Sequence, residues 1–280
     1  MSLETNSARE IHLNSTQHYP GTVYMAKLAR QAGYIMQKNF HLGMKRETKE
    51  DNTPLTETDT AINDLVVRWI SKDYPHIRVI SEEGNYNVDG AEYTILCDPV
   101  DGTIPFCRGA PISTFVISVI KGNQPLAAII YDPFLERMWE AEHKLGAFLN
   151  INEKCVPIRV SKHKTILRSN ICMIWWDRSP YHLNDVCAKL MDEGATVGNP
   201  LTIAYYGGLL ASGEQDATIF PGQKGWETAA MQLITEEAGG MVTDIYGDPM
   251  KYGPDGEIKG HIISNGQFHY QLVNTIASCQ

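Results

Sequence analysis

The chain has 280 residues, of which 43% are hydrophobic, and this is enough for one large domain or two closely packed lobes. Its net charge of −9 comes from 33 acidic and 24 basic residues, and this acidic balance argues against binding to the phosphate backbone of nucleic acids. The six cysteines form no CxxC pair and no zinc-binding pattern, and we therefore expect buried free thiols. The sequence shows no signal peptide and no apolar run of membrane-spanning length, and we therefore expect a cytoplasmic protein.

The first part of the chain is predicted to contain an arm, a helix and a loop. Residues 1–19 are polar and lack periodicity, which predicts a flexible N-terminal arm. From Thr22 to about Asn39, apolar residues recur at helical spacing. Residues 41–57 are polar and include Lys49, a composition that is typical of a solvated loop.

The clearest helix of the sequence spans residues 58–71, where the apolar side chains form one stripe. Thr58 or Asp59 occupies the N-cap position of this helix, and capping alone would explain an aspartate there. A strand over 77–80 follows and leads into Glu82. A glutamate at a strand end is usually only solvated, unless a metal-binding turn lies close to it.

Such a turn follows the buried strand that is predicted over 93–97. The segment 98–103 reads Asp-Pro-Val-Asp-Gly-Thr, in which Pro99 stiffens the chain and Gly102 permits a positive φ. An aspartate that caps a strand-ending turn is the simpler interpretation of any single residue here. The whole segment instead predicts a site for Mg²⁺, because Mg²⁺ prefers hard oxygen ligands. The oxygen donors that the turn can aim at one point belong to Asp98, Val100, Asp101 and Thr103.

The remainder of the chain predicts two kinds of sheet. Strands at 114–120, 126–131 and 137–141 alternate with turns, which indicates an antiparallel sheet. From about residue 166, strands and helices alternate, which indicates a second lobe with an α/β sheet. We therefore divide the chain into an arm (1–19), an N-terminal α+β lobe (20–165) that carries most metal ligands, and a C-terminal α/β lobe (166–280) that completes the site. In that second lobe, strands are expected at 171–175, 194–197, 217–220, 241–243 and 261–264, and helices at 181–191, 200–211, 226–238 and 267–277.

The turn at 98–103 resembles the first sequence signature of the inositol monophosphatase family of Mg²⁺-dependent, lithium-sensitive phosphatases, which is related to fructose-1,6-bisphosphatase. Together with further matching segments, the resemblance covers nearly the whole chain from about residue 20. It implies an α+β fold, a layered α/β/α/β/α sandwich of the sugar-phosphatase type, with an antiparallel sheet in the N-terminal lobe and a mixed sheet in the C-terminal lobe. It also implies a homodimer. The further matching segments are 56–59, 81–83, 131–134, 146–150 and 225–230.

The resemblance also implies roles for individual residues. Thr103, oriented by Asp59, and Glu82 would position the attacking water, and the phosphate would meet the backbone N–H groups of Gly102 and Thr103. Glu83 and Lys49 would support the site from outside the ligand set, Lys49 on a mobile active-site loop. Two or three Mg²⁺ ions would clamp the displacement. Their ligands would be Glu82, Asp98, the Val100 carbonyl, Asp101 and Glu227.

Two positions depart from the family pattern. Glu227 stands where the family usually has a metal-binding aspartate, and Phe220 stands where inositol-specific members often have a glutamate that touches the ring. Asn199, in a loop at the substrate edge, and Phe220 are the expected substrate contacts. Because Phe220 cannot accept a hydrogen bond from a ring hydroxyl, we expect weak selectivity for inositol phosphate.

The sequence thus predicts a Mg²⁺-dependent phosphomonoesterase that acts on a small polyol or sugar phosphate. A 3′-phosphoadenosine 5′-phosphate phosphatase, a fructose-1,6-bisphosphatase and a histidinol-phosphate phosphatase remain alternatives with the same chemistry. A noncatalytic metal-binding interaction module is the alternative from a different class, and the intact set of acidic residues argues against it.

Overall fold

The computed structural model describes residues 18–41, 47–48, 54–176, 179–181 and 183–279. Most of the predicted arm and most of the predicted loop at 41–57, including Lys49, lie outside this described part. None of the described helices is both long and apolar enough to cross a membrane. The helices are α1 (Thr22–Asn39), α2 (Glu57–Asp73), α3 (Thr103–Cys107), α4 (Leu183–Asp192), α5 (Ala204–Ala211), α6 (Thr228–Glu237) and α7 (His269–Ala277).

The strands form two large sheets and one short pair, β1 (Glu47–Thr48) with β2 (Pro54–Leu55). The seven-stranded sheet has the order β3-β4-β5-β6-β7-β8-β9, and the five-stranded sheet has the order β11-β10-β12-β14-β13. The strands of the first sheet are β3 (Arg78–Ser81), β4 (Thr94–Asp101), β5 (Thr114–Lys121), β6 (Gln124–Asp132), β7 (Arg137–Glu142), β8 (Gly146–Ile151) and β9 (Lys154–Pro157). Those of the second are β10 (Asn170–Met173), β11 (Thr196–Gly198), β12 (Ala217–Phe220), β13 (Met241–Thr243) and β14 (His261–Ser264).

The strands predicted to form an antiparallel sheet do so, and the first sheet contains one further pair that is parallel. Strands β3 and β4 run parallel, whereas every other neighbouring pair of the sheet is antiparallel. Parallel strands need a crossover connection, and residues 82–93 carry the chain back to the starting end of β3. Short turns join the antiparallel strands from β5 to β9. The second sheet is mixed, with β11, β10 and β12 parallel and β14 antiparallel to both neighbours, as predicted.

Three apolar clusters show how the helices and sheets are layered. The first joins α1 and α2 to one face of the seven-stranded sheet. The second joins the opposite face, including Trp139, to α5, α6 and one face of the five-stranded sheet. The third covers the remaining face of the five-stranded sheet with α4 and α7. These clusters produce five layers, α/β/α/β/α, and confirm the predicted fold class.

Two local predictions need correction. Helix α2 begins at Glu57 with Thr56 as its N-cap, so neither Thr58 nor Asp59 is the cap. Asp59 is the third helical residue, and its Oδ2 accepts hydrogen bonds from the Thr56 hydroxyl and, at 2.9 Å, from the Thr56 N–H. Cys155 is exposed rather than buried because it lies on the edge strand β9, all four residues of which are exposed.

Candidate active site

The predicted metal-binding turn begins inside β4, which continues to Asp101 instead of ending at residue 97. Asp98 and Asp101 are buried, and the register with β5 shifts between them. Pro99 has no N–H for the ladder, which accounts for an irregularity at this place. The carboxylates therefore lie inside the structure at the end of a central strand rather than on a surface loop.

Gly102 ends this strand and allows the turn into α3. Its φ of 84° lies in the left-handed region, and a Cβ there would stand 2.8 Å from the Thr202 Cβ. Any larger residue would therefore be strained and would push away the segment that precedes α5. The turn and that segment are therefore closely packed.

Within the turn, short contacts fix the oxygen atoms. Asp98 Oδ1 accepts a hydrogen bond from the Val100 N–H at 2.9 Å. The Thr103 hydroxyl lies 3.1 Å from the Val100 carbonyl and 3.4 Å from Asp59 Oδ1, so its single proton has two acceptors. The structure thus brings Asp59 and Thr103 together, although this contact is long.

Asp101 has a partner that the sequence analysis missed. Its Oδ1 accepts from the Ile203 N–H at 3.0 Å, and its Oδ2 accepts from the Thr202 hydroxyl and, at 3.0 Å, from the Ala204 N–H. The carboxylate thereby caps the N-terminus of α5, about a hundred residues later in the chain, where negative charge is favourable. A threonine just before an apolar helix was the only sequence signal for this arrangement. Oδ1 retains the capacity to accept a further interaction.

Glu82 and Glu227 complete an acidic cluster around Asp98. Glu82 directly follows β3, is half-buried, and its N–H donates to the Cys97 carbonyl at 3.2 Å. Glu227 is the N-cap residue of α6 and is only 4% exposed. Its Oε1 is buried and has no hydrogen-bond partner among the described residues.

The electrostatics of this cluster are dominated by burial and by like charges. Burial raises the pKa of Asp98 well above its ordinary value, and the carboxylates of Glu82, Asp101, Glu227 and Asp59 raise it further. Burial also raises the pKa of Glu227 well above its ordinary value, and the carboxylate of Asp101 is the second largest cause. The cluster is therefore short of positive charge.

A divalent cation fits this donor set. Carboxylate and carbonyl oxygens are ligands of Mg²⁺, and the orphaned Glu227 Oε1 is a buried acceptor that a cation would satisfy. In their present rotamers, however, no three acidic, histidine or cysteine side chains in the described part of the chain are arranged to hold a metal ion. The Val100 carbonyl and water molecules would therefore have to complete the ligand set.

The expected substrate contacts lie at the carboxyl ends of the parallel strands. Asn199 is exposed and directly follows β11, while Phe220 is the last residue of β12 and is half-buried. In open α/β sheets, ligands bind in the crevice outside this edge. Glu83 is half-buried beside Glu82. Trp176, which lies beyond the end of β10 at the same edge, was not singled out from the sequence.

Comparisons with known proteins agree with this architecture. A histidinol-phosphatase from Mycobacterium tuberculosis is 26% identical over 89% of this chain and 95% of its own length. A protein named Nus factor SuhB from Xylella fastidiosa is 28% identical over 81% of this chain and 83% of its own. The solved structure of an IMPase from Thermotoga maritima shares the fold, with a TM-score of 0.79 and 24% identity over 90% of this chain and 95% of that one.

The sequence profile of the inositol monophosphatase family matches residues 20–280, which is almost the whole chain. This match, together with relatives that are named as phosphatases, assigns the protein to the phosphoric monoester hydrolases. The protein belongs to the inositol monophosphatase family.

Proposed function

We propose that this protein is a Mg²⁺-dependent phosphomonoesterase that acts on a small polyol or sugar phosphate. The observation that carries the proposal is the buried cluster of carboxylates around Asp98, in which Glu227 Oε1 has no partner among the described residues. The family is generally metal-dependent, which supports the same conclusion. The predicted homodimer and cytoplasmic location stay predictions.

The ligands of the metal would be Glu82, Asp98, the Val100 carbonyl, Asp101 through its Oδ1, and Glu227. Mg²⁺ bound there would supply positive charge against the phosphate and would lower the pKa of a coordinated water. The net charge of −9 makes such a counter-charge necessary for a substrate that is itself an anion.

The chain's own residues would orient the water and the ester. The Thr103 hydroxyl can direct its proton to Asp59 Oδ1 or to the Val100 carbonyl, and its lone pair then accepts a hydrogen bond from the attacking water. The backbone N–H groups of Gly102 and Thr103 would donate to phosphate oxygens. Because α5 is anchored on Asp101, the segment at 202–204 holds the wall beside this turn in place.

A histidinol-phosphate phosphatase is the second candidate, because the relative with that name aligns over 95% of its own length. Phe220 offers no acceptor to a polyol hydroxyl, so nothing at that position selects inositol. We therefore expect more than one phosphate ester to be hydrolysed. The substrate alternatives differ in the alcohol and share the same chemistry at phosphorus.

A phosphate-release assay tests the proposal. The panel contains inositol 1-phosphate, fructose 1,6-bisphosphate, 3′-phosphoadenosine 5′-phosphate and histidinol phosphate, each with Mg²⁺ and with excess chelator. We expect release only with Mg²⁺, and a loss of about 100-fold or more in Asp98→Asn with the fold retained. Full turnover in chelator would refute the metal mechanism.

Two further outcomes separate the alternatives. Binding of Mg²⁺ without release from any substrate would favour a noncatalytic module. A preference for inositol 1-phosphate of more than about 10³-fold over every other ester would contradict the interpretation of Phe220.

A further inference from the structure

An aromatic pair stands at the carboxyl ends of two parallel strands of the five-stranded sheet. Phe220 ends β12 and Trp176 follows the parallel strand β10, and their ring centroids are 6.0 Å apart with planes inclined by 54°. Trp176 is 47% exposed, although tryptophan carries one of the largest apolar surfaces of any residue. Much of this aromatic surface is therefore accessible to a ligand.

Strand pairing and one hydrogen bond connect Phe220 to the start of α6, where Glu227 is the N-cap residue. Phe220 is directly opposite His261 in the antiparallel ladder, and their rings are 5.5 Å apart. Side chains that are directly opposite each other point to the same face. His261 Nδ1 and the Thr228 hydroxyl are hydrogen-bonded at 3.0 Å, and Thr228 follows Glu227 at the start of α6. One ring contact and one hydrogen bond therefore link Phe220 to the residue next to Glu227.

The Phe220 ring is held in one orientation. A Cβ at Gly222 would lie 2.2 Å from this ring, so the ring lies directly over the Gly222 backbone. His261, fully buried, supports it from the neighbouring strand. The pair is thus a preformed apolar wall, and a preformed wall loses little conformational entropy when a ligand binds to it.

We propose that Trp176 and Phe220 bind a flat unsaturated ring carried by the alcohol part of the substrate. Flat rings stack on aromatic side chains in offset or edge-to-face arrangements, whereas a saturated ring meets them less closely. The phosphate would lie at the Asp98 turn while the ring contacts this wall. The inference rests on the proposed function, because it concerns the substrate of the same site, and it favours the second candidate, histidinol phosphate, whose alcohol carries a flat imidazole ring, over a polyol.

The test uses two esters that differ only in the ring, 2-phenylethyl phosphate and 2-cyclohexylethyl phosphate. We expect the wild type to prefer the phenyl ester by about threefold to tenfold in kcat/KM, with most of the difference in KM. Trp176→Leu should bring this ratio close to one. The control Tyr270→Leu removes an aromatic residue that is 61% exposed on α7, and it should keep the wild-type ratio. Phe220→Leu is the second variant if Trp176→Leu does not fold.

The remaining outcomes would overturn either the inference or the proposed function. A wild-type ratio near one, or a ratio unchanged in both Trp176→Leu and Phe220→Leu, overturns the inference while the phosphatase activity stands. An unchanged ratio in Trp176→Leu together with a smaller molecular mass assigns the exposed face to a subunit interface and also overturns it. If no ester at all is hydrolysed, the proposed function fails. Binding of the unreactive 3-phenylpropylphosphonate over 3-cyclohexylpropylphosphonate, measured by tryptophan fluorescence in wild type and Trp176→Leu, then decides the inference by itself.

Discussion

At the residue scale, the buried carboxylates make stability depend on pH and on bound cations. Burial and neighbouring carboxylates raise the folded-state pKa of Asp98 and of Glu227. A carboxyl group whose pKa is raised by folding contributes most stability below its unfolded-state pKa of about 4, and this contribution is lost as the pH rises through the folded-state pKa. Near neutral pH, the cluster therefore opposes folding, and a bound cation would offset this effect.

Glu227→Gln tests this balance because it keeps the shape of the side chain and removes its charge. In excess chelator, we expect the free energy of unfolding to increase by about 1–3 kcal/mol, since an uncompensated buried charge is lost. With Mg²⁺, the variant should show a smaller thermal stabilisation than the wild type and a lower rate of phosphate release. Chemical denaturation with and without chelator measures both effects.

The exposed Glu214→Gln serves as the matched control, with an expected change within about 0.5 kcal/mol in either condition. If Glu227→Gln lowered stability equally in chelator and in Mg²⁺, the residue would have a structural role only, and its place in the ligand set would be wrong.

At the element scale, helix α5 is the connection between the two sheets and the site. Its N-terminus is capped by Asp101 from β4, and Trp139 from β7 packs against Tyr205 in its first turn and against Gly208 in its middle. The Trp139 indole N–H donates to the Ser212 hydroxyl at 2.8 Å, just beyond the end of the helix. The position of α5 therefore determines where the backbone N–H groups around Asp101 stand.

Gly208→Ala probes this packing. A Cβ at Gly208 would stand 2.5 Å from Trp139 Cδ2, and the hydrogen bond to Ser212 prevents the ring from moving away. Overpacking should therefore outweigh the gain in helix propensity, and we expect a net loss of about 1–2 kcal/mol in the free energy of unfolding. Because the helix must shift, the rate of phosphate release should fall as well.

Gly198→Ala is the control, because a Cβ there meets no atom within 4 Å. Urea denaturation of both variants is the measurement. A Gly208→Ala protein that is as stable as the wild type would show that α5 is free to move against the first sheet.

At the scale of the whole molecule, two buried histidines make the free energy of unfolding depend on pH. His269 of α7 lies 3.0 Å from the Thr243 hydroxyl of β13 and 2.8 Å from the Ser264 hydroxyl of β14. Burial lowers the pKa of His269 to about 4 and that of His261 to about 3. Folding therefore favours the neutral imidazole in both, so their contribution is complete above the unfolded-state pKa of about 6.5 and is lost as the pH falls towards these values.

His269→Gln should reduce this dependence on pH. Between pH 7 and pH 5, we expect the wild type to lose about 2 kcal/mol more of its free energy of unfolding than the variant does. Subtracting the two curves removes the opposite contribution of the carboxylate cluster, which is common to both proteins. The exposed His76→Gln is the control and should follow the wild-type curve. Parallel curves for wild type and His269→Gln would show that His269 is not kept neutral by the fold.

Elements with local sequence signals were predictable from the sequence. Helix α1 has the predicted bounds, Thr22–Asn39, because its apolar stripe has a clean helical period. Strands β12, β13 and β14 also occupy their predicted residues, since short apolar runs lie between turn residues. The acidic turn at 98–103 was recognisable for the same reason, as its donors are contiguous, although their roles as ligands stay predictions.

Only the tertiary structure decided the features that join distant parts of the chain. The cap on α5 comes from Asp101, the parallel pairing of β3 with β4 depends on where the chain returns, and the contact of Trp176 with Phe220 depends on strand order. Periodicity describes which face of an element is buried, but it carries no information on which partner covers that face. The shape of the substrate pocket depends on those partners, and for that reason no single segment of the sequence determines which substrate binds.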